Sequence, residues 1–373
     1  MLGQSNLESG LANQGQSTSA TGLSLPSALA MTPAGGLLVA DQANNRVAFF
    51  EAIPGTSGAA ASAVLGQLTA QGSSSSLTRR GLSGPFGVAV GGPVGARRMA
   101  VADSAANRVL VYAEVPVAGM PLPEPAAVIG QPDFESALTD CAANRLSFPT
   151  AVAITPLGRL IVADAVNHRV LVWNTVPVAA PIPAPDLVLG QSRPDRCVRN
   201  NNDVNGDVAG RGTLAFPVDV WSDDTRLVVA DSGNHRVLIW RNFPGANLQD
   251  ADLVLGHPSF TSSAPNDGGA QPTASTLRDP EGVHSDGNAL VVADSLNNRV
   301  LVWRTFPDNN GQAAEVVLGH QTFNQSVSND GNNDGGADAP TAQVFNYPMR
   351  VLLTPESLFV GDLLHNRVLR FGR

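Results

Sequence analysis

The sequence predicts an all-β protein, a six-bladed β-propeller of four-stranded antiparallel blades closed by the N-terminal strand completing the last blade. Three observations predict it. An apolar strand ending in Asp, a short turn, Arg-Val and a second apolar strand recur six times: LLVADQANNRVAFF, MAVADSAANRVLVY, LIVADAVNHRVLVW, LVVADSGNHRVLIW, LVVADSLNNRVLVW and LFVGDLLHNRVLRF. The aspartates Asp41, Asp103, Asp164, Asp231, Asp294 and Asp362 are spaced by 62, 61, 67, 63 and 68 residues, and Arg46, Arg108, Arg169, Arg236, Arg299 and Arg367 each follow five positions later. A second phrase, Gly-Gln or Gly-His after an aliphatic residue, has its glycines at Gly3, Gly66, Gly130, Gly190, Gly256 and Gly319. Finally, apolar residues alternate with period two between Gly- and Pro-rich turns, and no stretch has helical spacing.

One unit, Leu146 to Gln191, parses into four strands: TAVAI, RLIVAD, HRVLVW and DLVLGQ. Pro149 stands before the first strand, where its missing N–H removes no ladder bond. An isolated sheet of this size cannot cover Val, Ile and Leu on both faces, so each unit needs a neighbour on either side. Radial stacking of four-stranded sheets into a ring provides this. The expected blades are 23–67, 82–131, 146–191, 214–257, 277–320 and 344–373 plus 1–4, all in one domain, residues 1–373. The last unit stops after its third strand while MLGQ stands spare at the N-terminus. Pairing the two would cover an exposed edge.

Composition narrows the class. The 37 Gly and 27 Pro serve turns, 43% of residues are apolar, and no apolar run reaches the ~18 residues of a membrane span. Net charge is −9 and all 23 basic residues are Arg, which argues against general attraction to nucleic acid or membrane insertion. The Arg79-Arg80, Arg97-Arg98 and Arg193/Arg196/Arg199 groups read as solvated loops. The chain opens inside a repeat phrase, so a leader or a larger chain upstream of Met1 is expected. Cys141 and Cys197 follow the Gly-Gln phrase in adjacent blades; they are either a disulfide or two free thiols. A bond implies an oxidising compartment, and the expected location is secreted or cell envelope, in a bacterial-type protein.

The Asp-x-x-Asn-His-Arg-Val turns, Asp164 with Asn167-His168-Arg169 and Asp231 with Asn234-His235-Arg236, resemble the NHL-repeat family of β-propellers, and the resemblance extends over essentially all 373 residues. The units here are longer than is usual in that family, the excess lying in loops such as PVAAPIPAPD and TSSAPNDGGAQPTAST. The resemblance implies a propeller but divides on activity: some members bind proteins, some animal members bind RNA on a basic face, and one group is a zinc-dependent amidating lyase. This chain lacks the basic face, and it has one plausible channel histidine where the lyase needs a set.

The repeated Asp and Arg read as a structural latch, a charge-assisted bond pinning each hairpin, because an asymmetric site seldom repeats identically in every blade. His168 and His235 replace Asn in the turn, and His257 and His320 replace Gln in the fourth strand, which points to hydrogen bonding. The first strands differ more. Most carry Gly or Ala after the proline, as in Gly87 and Ala89, whereas the later blades carry Asp219 and Trp221, Glu281 and His284, and Met349, Arg350 and Leu352. Asp219, Trp221, Glu281, His284, Met349 and Arg350 are therefore the candidate binding group at the channel or its mouth, against the alternative that they plug it and satisfy one another. Asp330, Asn332, Asp334 and Asp338 match part of a calcium loop, but Thr341 stands where the bidentate Glu belongs, and a repeated Asn-Asp-Gly-Gly turn is the other reading. No cofactor is otherwise expected. No nucleophile elbow, HExxH or phosphate loop is present. The expected function is a non-enzymatic scaffold recognising a protein, peptide or glycan at the channel mouth or a rim face. The alternative is a channel-mouth lyase or hydrolase, metal-dependent or not, using residues of blades four to six.

Overall fold

The computed structural model describes residues 1–202, 208–332 and 334–372. In blade three, strands Pro149–Ile154, Leu160–Asp164, Arg169–Trp173 and Leu187–Leu189 lie side by side in chain order, each pair antiparallel. Blades one, two, four and five repeat this order, while the sixth sheet has three strands, Pro348–Leu353, Ser357–Asp362 and Arg367–Gly372. Six inner strands therefore surround an axis, each opening on a proline: Pro26, Pro85, Pro149, Pro217, Pro280 and Pro348.

The Asp–Arg pair recurs because it solves the same local problem six times. Each Arg Nε donates to Oδ2 of the Asp five residues earlier at 2.6–2.8 Å, with both side chains fully buried. The other aspartate oxygen accepts a backbone N–H just before the inner strand, from Ser24, Ser83, Ser147, Ala215, Arg278 or Asn346. The guanidinium then donates to loop carbonyls on either side of the blade; for Arg236 these are Gly210 O and Thr213 O, both at 2.9 Å, and Phe260 O. One planar fork thus fixes the hairpin and both flanking loops, which a lysine cannot do.

The Asn/His interchange in the turn has a partner that the local sequence does not reveal. Asn45, Asn107, His168, His235, Asn298 and Asn366 all lie in the left-handed region, φ +50° to +54°. Each accepts a hydrogen bond from a backbone N–H of the next blade, at Gly84, Phe148, Phe216, Asp279, Tyr347 and Leu25 respectively, 2.7–3.1 Å. Asn Oδ1 and His Nδ1 are equivalent acceptors here, and burial lowers the pKa of both His168 and His235, keeping them neutral. The sixth of these bonds joins blade six to blade one.

The apolar core follows the same cycle. Among the described residues, six of its clusters each straddle two successive blades, one of them placing Leu37 and Val39 of blade one against Leu352, Phe359 and Val368 of blade six. Leu2, buried in this cluster, exchanges two backbone hydrogen bonds with Val368, 2.9 and 3.1 Å. Gly3 has φ +84°, and a Cβ there would meet Asn366 O at 2.5 Å, much as one at Gly190 or Gly256 would meet the matching carbonyl at 2.8 Å. Gln4 Nε2 donates to Asn366 O, as Gln67, Gln131 and Gln191 do to Asn45, Asn107 and His168. The expected N-terminal strand is thus a single bridge pair flanked by the contacts that the Gly-Gln phrase makes elsewhere.

Candidate functional site

The six candidate side chains do not form one group. Asp219, Trp221, His284 and Arg350 line an axial cavity of about 490 Å³, opposite an apolar wall from blades one to three that mixes alanines such as Ala30, Ala89 and Ala153 with Met31, Val90 and Ile154. Glu281 and Met349 fall outside it, a correction to the sequence expectation. Each is the extra residue of a β-bulge, between Pro280 and Gly282 and between Pro348 and Arg350, where strand register shifts. A bulge re-aims its side chain, so counting positions from the proline misplaces both residues. Met349 packs with Phe86 and Leu363, beside Leu25, Phe148 and Tyr347, around the starts of the inner strands.

Arg350 separates these two regions. From blade six its guanidinium reaches Thr150 O at 3.1 Å in blade three, Val218 O at 2.9 Å in blade four and Glu281 O in blade five. Its Nε lies 3.9 Å from Asp219 Oδ1, and its ζ carbon 5.6 Å from the centre of the Phe86 ring. Asp219 Oδ2 accepts the Val283 N–H at 2.9 Å. Burial raises the Asp219 pKa, opposed by the Arg350 charge and the amide bond. The charged pair is therefore internally matched.

Toward the strand starts, Tyr347 Oη sits 3.1 Å from Asp279 Oδ2 and 3.2 Å from Glu281 Oε1. A phenol has one proton to give, so one of the two carboxyls must supply its own. Burial, reinforced by the Asp279 charge, pushes Glu281 up to about 8, which makes it the protonated member at neutral pH.

His284 Nδ1 accepts the Leu353 N–H at 3.2 Å, which fixes the ring proton on Nε2. Burial lowers this histidine to about 4. Its folded pKa lies below the unfolded value of 6.5, so it contributes stability that is complete above pH 6.5 and lost as pH falls toward 4, about 3 kcal/mol in all. Glu281, raised from 4.5, has the opposite slope and loses its contribution as pH rises toward 8. Subtracting the stability profile of H284Q from that of the wild type isolates the histidine. The difference is expected to change between pH 6.5 and 4 and to be flat above; a flat difference throughout rejects the half-buried neutral imidazole.

The remaining candidates are accounted for by geometry. Cys141 and Cys197 are joined as a disulfide, Cα–Cα 5.8 Å. His257 and His320 Nε2 lie 3.0 and 2.9 Å from the carbonyls of Asn234 and Asn297, in the place of the Gln bonds. In the acidic loop, buried Asp330 accepts the Asp334 and Gly335 amides on its two carboxylate oxygens, Asn332 bonds Asp334, and the Asp338 amide donates to Asn329 O. Among the described residues no group of three or more His, Cys, Asp or Glu side chains is arranged to hold a metal ion. Two larger grooves, about 660 and 610 Å³, lie between outer strands of blades one to three; Arg80 and Arg79, read from the sequence as a solvated loop, line one each.

Residues 146–173 match the sequence model of the NHL repeat. No curated protein sequence matches the chain. Among solved structures, a presumed 6-phosphogluconolactonase from Bacteroides uniformis superposes with a TM-score of 0.51 at 13% identity, covering 95% of this chain and 83% of that one. The periplasmic gluconolactonase of Pseudomonas aeruginosa superposes with a TM-score of 0.50 at 14% identity, covering 93% and 81%. At such identities the likeness is one of fold.

Proposed function

We propose that this chain, a six-bladed propeller in which residues 146–173 match the NHL repeat, acts as a rigid, non-enzymatic recognition scaffold whose ligand, a protein, peptide or glycan, is received at the axial channel. The observation that carries this reading is Arg350. Its donors hold three backbone carbonyls from three other blades, and its charge faces Asp219. A side chain engaged in this way fixes the ring around the cavity and is poorly placed to change partners during a reaction. The Cys141–Cys197 bond supports an oxidising location, secreted or at the cell envelope.

One observation favours the enzymatic alternative, a hydrolase or lyase: a protonated Glu281 beside Asp279 and Tyr347 has the character of a general acid. Incubating the protein with a glycan array and a displayed peptide library, then recovering the bound species for mass spectrometry, separates the two. The scaffold reading expects ligands recovered unchanged. A chemically altered ligand, with the change abolished in E281Q, overturns it.

A further inference from the structure

We propose that the axial cavity binds a neutral, hydroxylated ring, a sugar residue, held by Trp221, His284 and Asp219. The proposal rests on the recognition reading above and names its ligand class. Trp173, Trp240 and Trp303 each donate the indole N–H to a carbonyl, of Pro183, Gln249 and Gln312, at 2.9–3.0 Å. Trp221, half-buried on the wall of the cavity with its ring beside Phe306, makes no hydrogen bond among the described residues, so its indole N–H is open to a partner supplied from the cavity. His284 presents the same chemistry from the next blade, because its Nδ1 is held by the Leu353 amide and its Nε2–H is left to donate. Asp219 supplies the complementary acceptor: Oδ2 holds the Val283 amide while Oδ1 stands 3.9 Å from Arg350 Nε.

The cavity thus offers two neutral donors, one carboxylate oxygen and an aromatic surface, facing aliphatic side chains. Its volume of about 490 Å³ falls in the range of small-molecule sites, roughly 300–1,000 Å³. Hydroxyls match this set because each both donates and accepts, and the C–H face of a ring suits the aliphatic wall of blades one to three. A charged ligand would lose its hydration without gaining a counter-ion, since Arg350 and Asp219 already face each other.

Saturation-transfer NMR with neutral hexoses, N-acetylhexosamines and their disaccharides, with a hexuronate and a hexosamine as charged counterparts, tests the assignment. At least one neutral sugar is expected to bind, with its charged counterparts at least tenfold weaker. W221F, which removes the N–H and part of the ring but keeps an aromatic face, is expected to weaken binding about threefold and W221A at least tenfold, with unfolding midpoints close to wild type for W221F. Absence of binding across the panel, equal binding of the charged sugars, or wild-type affinity in both W221F and H284Q overturns the assignment. Peptides that bind and are lost in W221A, with no sugar bound, overturn the ligand class while leaving the scaffold reading intact. A sugar that binds and is chemically converted overturns the scaffold reading and upholds the ligand class.

Discussion

Replacing Arg236 by alanine is expected to lower the unfolding free energy by about 3–5 kcal/mol, the cost of leaving a buried charge without its partner. Arg236 and Asp231 are both fully buried, so no water can replace the lost fork, and the carbonyls of Gly210, Thr213 and Phe260 lose their donor together with the Asp231 carboxylate. Denaturant unfolding of R236A, R236K and the double variant D231N/R236A resolves the origin. R236K keeps a charge but not the planar fork, and it should fall between wild type and R236A. The double variant should recover part of the loss because the uncompensated carboxylate is gone. An R236A protein as stable as wild type would reject the latch as a source of stability.

Replacing Arg350 by methionine should be comparably severe, about 3 kcal/mol, but for a different reason. Arg236 acts within one blade and its flanking loops. Arg350 reaches from blade six to carbonyls of blades three, four and five, and beside it Asp219 would be left buried with backbone amide bonds but no counter-charge. Methionine preserves much of the volume, so the measured loss reports the polar contacts. The companion R350M/D219N removes the stranded charge and should regain part of it. If R350M unfolds at the wild-type midpoint, the central arginine is not a tie between blades, and the argument for a rigid channel fails with it.

What could be read in advance follows the range of the interactions. Asp231 and Arg236 are five residues apart on paired strands, so the latch is written locally and repeated six times. The exchange of Asn for His at the turn is equally visible, and both residues offer an acceptor. Their partner, however, is a backbone N–H some 40 residues onward, and an amide has no letter in a sequence. The candidate side chains of blades four to six stood out by size and polarity among Gly and Ala. Their division into an axial cavity and an acidic, aromatic cluster did not, because bulges after Pro280 and Pro348 turn Glu281 and Met349 away from the strand alternation. Trp221 differs from the other three tryptophans in standing half-buried on an inner strand rather than buried at the end of a third strand, and in lacking a bond, which becomes visible once the partners are placed.

By itself the sequence determined the repeat, its strands, its latch and the number of blades, since these rest on residues close together in the chain and on an alternation that any one unit displays. Tertiary structure alone decided the cyclic hydrogen bonds between blades, the Cys141–Cys197 bond, the path of Arg350 across the axis and the shape of the cavity it bounds. These depend on groups up to 341 residues apart, many of them backbone carbonyls and amides common to every residue. Only closing the ring brings them within bonding distance.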